Sequence, residues 1–531
     1  VQGYNLARET ESSTGRPESK NFVQQKQKEF ADAIKLAAGI QIDALAARET
    51  VVPGDTVPIS IKTFFALKEG LKVKDAKVVT PAKWNVNPGE VPKENTQGFF
   101  RRETGDHAAY FNVGVPPDAL PTQPYWLAVP REGDLFHWKD DDDQRGLPLH
   151  STIPLAEVTM NILGTEVVYK QLIEYRYADD TRGEIRRNLN IVPKVTVNVS
   201  ESLIIVPYSS KPQKRRLSQV VTNQSSMPVK GVAVLDFESK LNWTLEPSGR
   251  SFELDGKQTT LMHFDLTIPG GTKQGRYAIT SEIKAVIGQE KSLSSNMIEY
   301  PHIQTHRVYR AARRNVQIID LKTVPVNVGY VMGSGDEIPA AIRQMGLNVT
   351  MLEEKDLSAG DLARFDVIVV GIRASEVLQD FAANNQRLLD WVKKGGTMIV
   401  QYQRPIYAQQ NLTPFPAQMG PRVADENATV KILQPNHPIF NFPNKITEKD
   451  FEGWVQERNL YNFSTFDERY VPLLESHDAG EPENKGGLVV ADVGKGKYIY
   501  CSYSLFRQLP AGVDGAYRLF ANLLSLPKPK K

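Results

Sequence analysis

Apolar residues keep two different rhythms along this chain, and the switch between them limits the folds open to it. In "VPGDTVPISIKTFF" they alternate, with Val57, Ile59 and Ile61 on one side of the backbone. "AEVTMNIL" repeats the pattern with Val158, Met160 and Ile162. Alternation marks strands with one buried face, and Pro/Gly-rich turns between such strands indicate β-sandwiches. From about Val324 the rhythm changes. "VNVGYVMG", "NVTML", "DVIVVGI" and "TMIVQY" are continuous apolar runs, separated by helical stretches such as "EIPAAIRQMG", "SAGDLARF" and "NNQRLLDWVKKGG". Unbroken apolar strands alternating with helices predict a parallel sheet covered on both faces. "GLVVADVGKGKYIYCSY" reads as a strand pair turning at Gly494–Gly496, and "GAYRLFANLLSL" as a closing helix.

The alternating part holds an internal repeat. "FNVGVPPDALPTQPYWL" from Phe111 matches "FDLTIPGGTKQGRYAI" from Phe264, each read as alternating apolar residues, a proline, a polar turn and an aromatic strand. Upstream lie "WNVNP" at Trp84 and "WTLEP" at Trp243. Two tandem sandwiches of related design account for this. At 531 residues the chain is too long for one domain. The division expected is a helical linker at 1–48, sandwiches at 49–193 and 194–310, and an α/β domain at 311–531. Within the linker, "NFVQQKQKEFADAIKLAAGI" sets Phe30, Ile34, Ala37 and Ala38 on one helical face, stopped by Gly39. That face must pack on a neighbour.

Composition excludes some functions. A net charge of +2 gives no basis for binding nucleic acid or an anionic membrane surface, and no apolar run approaches the length of a membrane span. The tail lysines, Lys528, Lys530 and Lys531, read as solvated. The single cysteine, Cys501, lies in the strand-like "KYIYCSY" and reads as a buried thiol. His302 and His306 stand in the extended "EYPHIQTHR", so their spacing does not make a helical metal pair. "WKDDDDQRG" packs its aspartates too tightly for a calcium loop, which spaces its ligands, and reads as a solvated loop. No metal site is expected.

Candidate chemistry gathers where parallel strands end. The turns after them converge on a crevice at the sheet's carboxyl edge. "MGSGDEIP" follows the first such strand but brings its own acids, Asp336 and Glu337, which suit helix capping and repel phosphate. "GIRASE" and "YQRP" bring Arg373, Glu376, Gln401 and Arg404, as a polar pocket or a salt-bridged rim. "DFEGWVQERNLYNF" supplies Trp454, Glu457, Arg458 and Tyr461, and "FRQLPAGVDGAYRLF" supplies Arg507 and Gln508. Aromatic, guanidinium and carboxylate groups together suit sugar or peptide binding, and they also suit a satisfied internal ion pair; their density here favours a site. The binding candidates are Arg373, Gln401, Trp454, Glu457, Arg458 and Arg507.

"VGYVMGSGDEIPAAIRQMG", "FDVIVVGIRA", "LLDWVKKGGTMIVQY", "NKITEKDFEGWVQERNLY" and "RQLPAGVDGAYRLFANLL" resemble the C-terminal part of large bacterial PIG-L (LmbE-like) family deacetylases. "NFVQQKQKEFADAIKLAAGIQIDALA" resembles the segment after their deacetylase domain. The resemblance implies an N-terminal, zinc-dependent deacetylase of N-acetyl sugars with a His-Pro-Asp-Asp motif. That motif is absent here, and the one His-Pro continues as "NHPIF". The middle portion resembles β-sandwich modules of bacterial glycosidases. The last portion is similar to class I glutamine amidotransferase-like domains, a flavodoxin-like α/β fold with a Cys nucleophile after a central strand. Here that turn falls at about Tyr402–Gln403, with neither Cys nor Ser. The resemblance thus implies a non-catalytic accessory region. It would have no cofactor of its own, a cognate deacetylase domain and a glycan as partners, and a periplasmic or cell-envelope location. A structural or oligomerisation module is an alternative, as is a separate enzyme using Glu457 or Glu376.

Overall fold

The computed structural model describes residues 1–527 except 14, 82, 91–104, 139–145, 147–153, 285 and 287–291. The aspartate run and the tail lysines lie outside the described residues. Two β-sandwiches follow one another, each with a six-stranded sheet. The first runs, in spatial order, Gly183–Asn188, Glu174–Asp179, Gln41–Ala46, Thr56–Phe64, His107–Gly114, Asn85–Pro88. The second runs His306–Ala311, Leu293–Ile298, Val195–Val199, Gln213–Asn223, Thr259–Ile268, Thr244–Glu246. The orders correspond strand for strand, and in both the second and third strands are parallel. The repeat read from sequence even keeps its register. Asn85 faces Gly114 and Pro88 faces Phe111, just as Thr244 faces Thr267 and Glu246 faces Asp265. A three-stranded sheet closes the first core and a five-stranded sheet the second. Val57, Ile59, Ile61, Val158, Met160 and Ile162 are all 2% exposed or less, as their alternation requires.

Three expectations need correction. Tyr125–Leu127 is a 3-10 turn and not an aromatic strand. Pro121, Pro124 and Pro130 around it lack the N–H that a ladder needs. The second sandwich also runs past residue 310. Arg313–Ile319 pairs with Gly275–Lys284 and with Leu203–Pro207, so 310/311 is no boundary. Likewise Gln41–Ala46, inside the expected linker, is a strand of the first sandwich. Its period is masked by Asp43, which is 4% exposed and held by Arg176 at 3.2 Å and Arg186 at 2.8 Å.

Helices α1 (Gln2–Ser13) and α2 (Pro17–Ala37) pack together on the first sandwich. The Tyr169 hydroxyl donates to the Ala31 carbonyl, and Asn5 to the Thr165 hydroxyl. The buried stripe of α2 is turned from the expected one. Ala31 and Ala38 are buried, while Phe30 stays 42% exposed because its ring lies against Gly3 of α1.

Beyond Lys322 lies a seven-stranded sheet whose strands we number β1 (Asn327–Val331), β2 (Asn348–Met351), β3 (Val367–Val370), β4 (Thr397–Gln401), β5 (Tyr470–Pro472), β6 (Leu488–Val493) and β7 (Gly496–Cys501). Its order is β2-β1-β3-β4-β7-β6-β5, parallel from β2 to β7 and antiparallel beyond. Helices α3 (Ile338–Gln344), α4 (Gln379–Lys393) and α6 (Asp514–Ser525) fall where the apolar pattern places them, while α5 (Leu505–Ala511) forms in a stretch that the pattern does not mark as helical. Separate apolar clusters cover the sheet's two faces, α3, α5 and α6 packing into one and α4 into the other. No helix among the described residues is long and apolar enough to cross a membrane.

Glutamine side chains close the sheet edges at the seams. Gln344 accepts from the Ile205 N–H at 2.9 Å and donates to the Leu203 carbonyl at 3.1 Å, pairing the edge strand of the second sandwich to α3. Gln304 does the same for Asn188 and Arg186, and Gln123 accepts from the Tyr309 N–H. An edge strand otherwise presents unpaired backbone groups. We predict that Gln344→Ala weakens the seam by about 1–2 kcal/mol. Hydrogen exchange at the Ile205 amide should speed up, while the Ile59 amide keeps its rate as the internal control.

Candidate functional site

The crevice at the carboxyl edge is built from backbone first. Gly333 and Gly371 let the turns after β1 and β3 touch, and the Ser334 N–H donates to the Ile372 carbonyl at 2.9 Å. Of the two acids that "GSGDE" offers for capping, Asp336 accepts from the Ile338 N–H at 3.1 Å, whereas Glu337, at the N-cap position, makes no side-chain cap bond. Asp336 also accepts from the Tyr330 hydroxyl at 2.7 Å, and that hydroxyl accepts from the Gln401 amide at 2.9 Å. Burial raises the Asp336 carboxyl above its ordinary range and raises the Tyr330 phenol further still. This chain runs under the crevice and stiffens its floor.

The turn after β4 carries Gln403, which is fully buried. Its carbonyl oxygen accepts from the Ser375 N–H and hydroxyl, both at 3.1 Å. Its amide nitrogen donates to the carbonyls of Gly371 at 2.9 Å and Gln401 at 3.1 Å. Every bond the side chain can make is thus spent, three of them across to the turn after β3 and one back on its own strand. Cys501 is fully buried in β7, and burial pushes its thiol up to about 12, so it is protonated and unreactive at neutral pH.

Of the six binding candidates, three stand at the rim. Arg373 donates to Glu376 at 2.9 Å, and Glu376 also holds Arg404 at 2.8 Å. The Arg373 guanidinium is the leading cause that holds the Glu376 carboxyl below its ordinary range. Arg507 donates to Glu457 at 2.6 Å, with side-chain exposures of 37% and 14%. Between these groups the Tyr402 and Tyr461 rings stack at 6.0 Å and Phe506 lies 5.5 Å from Tyr402. Gly335, Asp336, Gln456, Phe506 and Arg507 border an open cleft of ≈ 570 Å³. Arg373, Gln456 and Tyr461 all have φ between 53° and 67°, rare for residues with a side chain. Such conformations gather at functional sites, where the fold over-determines them.

The other three candidates are interior. Gln401 is 1% exposed and belongs to the floor. Trp454 is 3% exposed, bonded to the Asp450 carbonyl and packed on Phe451 and Tyr503. Arg458 is 5% exposed, and its guanidinium donates to the carbonyls of Ala428 and Phe451. Trp454 and Arg458 hold the 450–463 segment in place, and all three buried side chains are spent on internal contacts. Sequence reasoning weighed Tyr461 without choosing it, and passed over Phe506. The signal for both was an aromatic residue next to a chosen charged one. Among the described residues no three His, Cys, Asp or Glu side chains converge as a metal site.

No protein-family model and no curated protein sequence matches the chain. Among solved structures it is similar in part to the β-galactosidase of Rahnella sp. R3, at 13% identity over 38% of this chain and 31% of that one, with a TM-score of 0.26. The β-galactosidase of Bacillus circulans sp. alkalophilus gives 12% identity over 38% and 31%, with a TM-score of 0.25. The exo-β-1,4-mannosidase Op5Man5 of Opitutaceae bacterium strain TAV5 gives 12% over 40% and 37%, also at 0.25. The match thus spans about a third of the length of these glycosidases. Similarity at this level adds nothing to the strand pairing, on which the fold rests.

Proposed function

We propose that this chain is a non-catalytic accessory region of a PIG-L (LmbE-like), zinc-dependent N-acetyl-sugar deacetylase, and that its crevice holds a glycan of the cell envelope. Under this reading the C-terminal domain is flavodoxin-like, of the class I glutamine amidotransferase type. Zinc chemistry then belongs to the cognate deacetylase domain. The observation that carries the reading is Gln403. It occupies the turn where that fold mounts its nucleophile, buried and fully hydrogen-bonded. What faces the cleft is recognition chemistry. Phe506 and Arg507 line the cleft, and beside it on the rim Tyr461 offers a second partly exposed ring and Arg373 a second guanidinium, with Glu376 orienting Arg373 and Glu457 orienting Arg507. Rings stack on sugar faces while fixed charged groups set orientation. A separate enzyme using Glu376 as general acid is disfavoured, because its arginines keep that carboxyl ionised.

Glu457→Gln tests the reading. The Glu457–Arg507 pair is partly exposed, so its loss should cost no more than about 1 kcal/mol. Stability should be nearly unchanged while binding on a glycan array weakens. A clear fall in melting temperature with unaltered array binding would leave the pair as scaffold and remove the site.

A further inference from the structure

A second cavity, of ≈ 370 Å³, lies at the seam between the second sandwich and the C-terminal domain. Glu201, Arg215 and Arg216 line it from the sandwich, and Arg343 and Gln344 from α3. The arginines are not equivalent. Arg216 is committed to Asp265 at 3.1 Å. Arg215 is half-buried, and among the described residues its guanidinium donates to the Lys214 carbonyl at 2.9 Å and the Gln213 side-chain oxygen at 3.2 Å and to no carboxylate. Burial lowers its proton affinity, and no carboxylate offsets this. Arg343 is exposed in the last turn of α3, with no side-chain ion pair among the described residues. In the core of the same sandwich Arg314 is 1% exposed and bonded through one nitrogen to the Ser218 carbonyl. Glu201 of the cavity lining is the one acid that acts on it.

A solvated arginine at a helix C-terminus is ordinary, which accounts for Arg343 alone. It does not account for a half-buried Arg215 without an ion pair among the described residues, or for a buried Arg314 on which Glu201 of the cavity acts. Guanidiniums that outnumber the carboxylates in a place of reduced solvation bind oxyanions, because their planar donors match two oxygens at once, and here Glu201 is the one acid lining the cavity against Arg215, Arg216 and Arg343. We propose that this seam binds a ligand carrying a compact oxyanion, the carboxylate of an acidic sugar or a phosphate group, clamped between Arg215 and Arg343. The proposal is independent of the crevice. Because the clamp draws on both domains, the ligand would also fasten the seam that Gln344 closes.

Isothermal titration of the full chain with inorganic phosphate, with glucuronate and with uncharged glucose tests it. At least one oxyanion should bind while glucose does not, and the one that binds identifies the source of the charge. Arg215→Ala and Arg343→Ala should each weaken that binding about tenfold, the worth of one charge-assisted contact. Arg216→Ala should change it little. Arg343 is exposed, so its variant reports on binding without endangering the fold, and Arg215→Lys does the same for the buried position. Absence of heat with both oxyanions would overturn the proposal. So would equal binding of glucose, or wild-type affinity in both alanine variants.

Discussion

Gly333→Ala should destabilise the C-terminal domain by about 3 kcal/mol, at the upper end for overpacking. A Cβ at Gly333 would sit 1.8 Å from the Ile372 carbonyl oxygen and 2.7 Å from its carbon. The obstacle is backbone, in the turn that β3 delivers to the crevice, so no rotamer change relieves it. Either the hydrogen bond from Ser334 to Ile372 breaks or the two turns separate, and Tyr330, Asp336 and Gln401 then lose their common geometry. Gly335→Ala is the control. Gly335 has φ +99°, but nothing lies within 4 Å of an added Cβ, so only backbone strain of about 1 kcal/mol is at stake. Hydrogen exchange in β1 and β3 separates the two. About a hundredfold acceleration is expected for Gly333→Ala and about fivefold for Gly335→Ala. Similar rates in the two variants would mean that the turns can part at little cost.

Much of the architecture was legible because it rests on short-range pattern. The apolar runs at 327–331, 367–370 and 397–401 are fully or nearly fully buried strands, and the repeat at Phe111 and Phe264 keeps a common register. What sequence could not supply was which sheet receives a strand. "RRNVQII" follows a polar stretch and looks like a new beginning, yet it returns to the second sandwich through pairs with residues more than thirty positions earlier. The site was half legible for the same reason. Charged and aromatic residues crowd 450–463, but crowding does not reveal burial. Arg458 is interior because distant carbonyls, Ala428 among them, satisfy it, and a carbonyl leaves no mark in a sequence. Gln403 was visible as a missing nucleophile. Its role as the tie between two turns needed coordinates.

Arg314→Met should stabilise the second sandwich by about 1–4 kcal/mol, the range seen when buried ionic groups give way to apolar ones. Arg314 stands opposite Ile279 in its own sheet and crosses the core to the Ser218 carbonyl of the facing sheet. Among the described residues its Nε and Nη1 have no hydrogen-bond partner, nor do the Gln219 amide and the Ser281 hydroxyl, both on fully buried side chains of the same core. Burial pushes the guanidinium down to about 10 from the usual arginine range. The sign follows. A base whose folded value is depressed binds its proton more weakly folded than unfolded, so the charge opposes folding at every pH below that value. The penalty is fully present at neutral pH and eases only as pH climbs past about 10. The melting temperature of the sandwich should therefore rise by several degrees in the variant, with the gap to wild type narrowing in strong alkali. The Ser218 carbonyl keeps the Ser200 N–H at 3.2 Å, so the exchange strands no acceptor. Attraction from Glu201 works the other way. If it outweighs desolvation, Arg314→Met lowers the melting temperature instead, and the buried charge is then a stabilising half of a pair. Oxyanion affinity at the seam gives a second reading of the same variant. Removing a positive charge that offsets Glu201 of the cavity lining should weaken binding even as the fold gains stability, and a global loosening of the sandwich could not produce that combination.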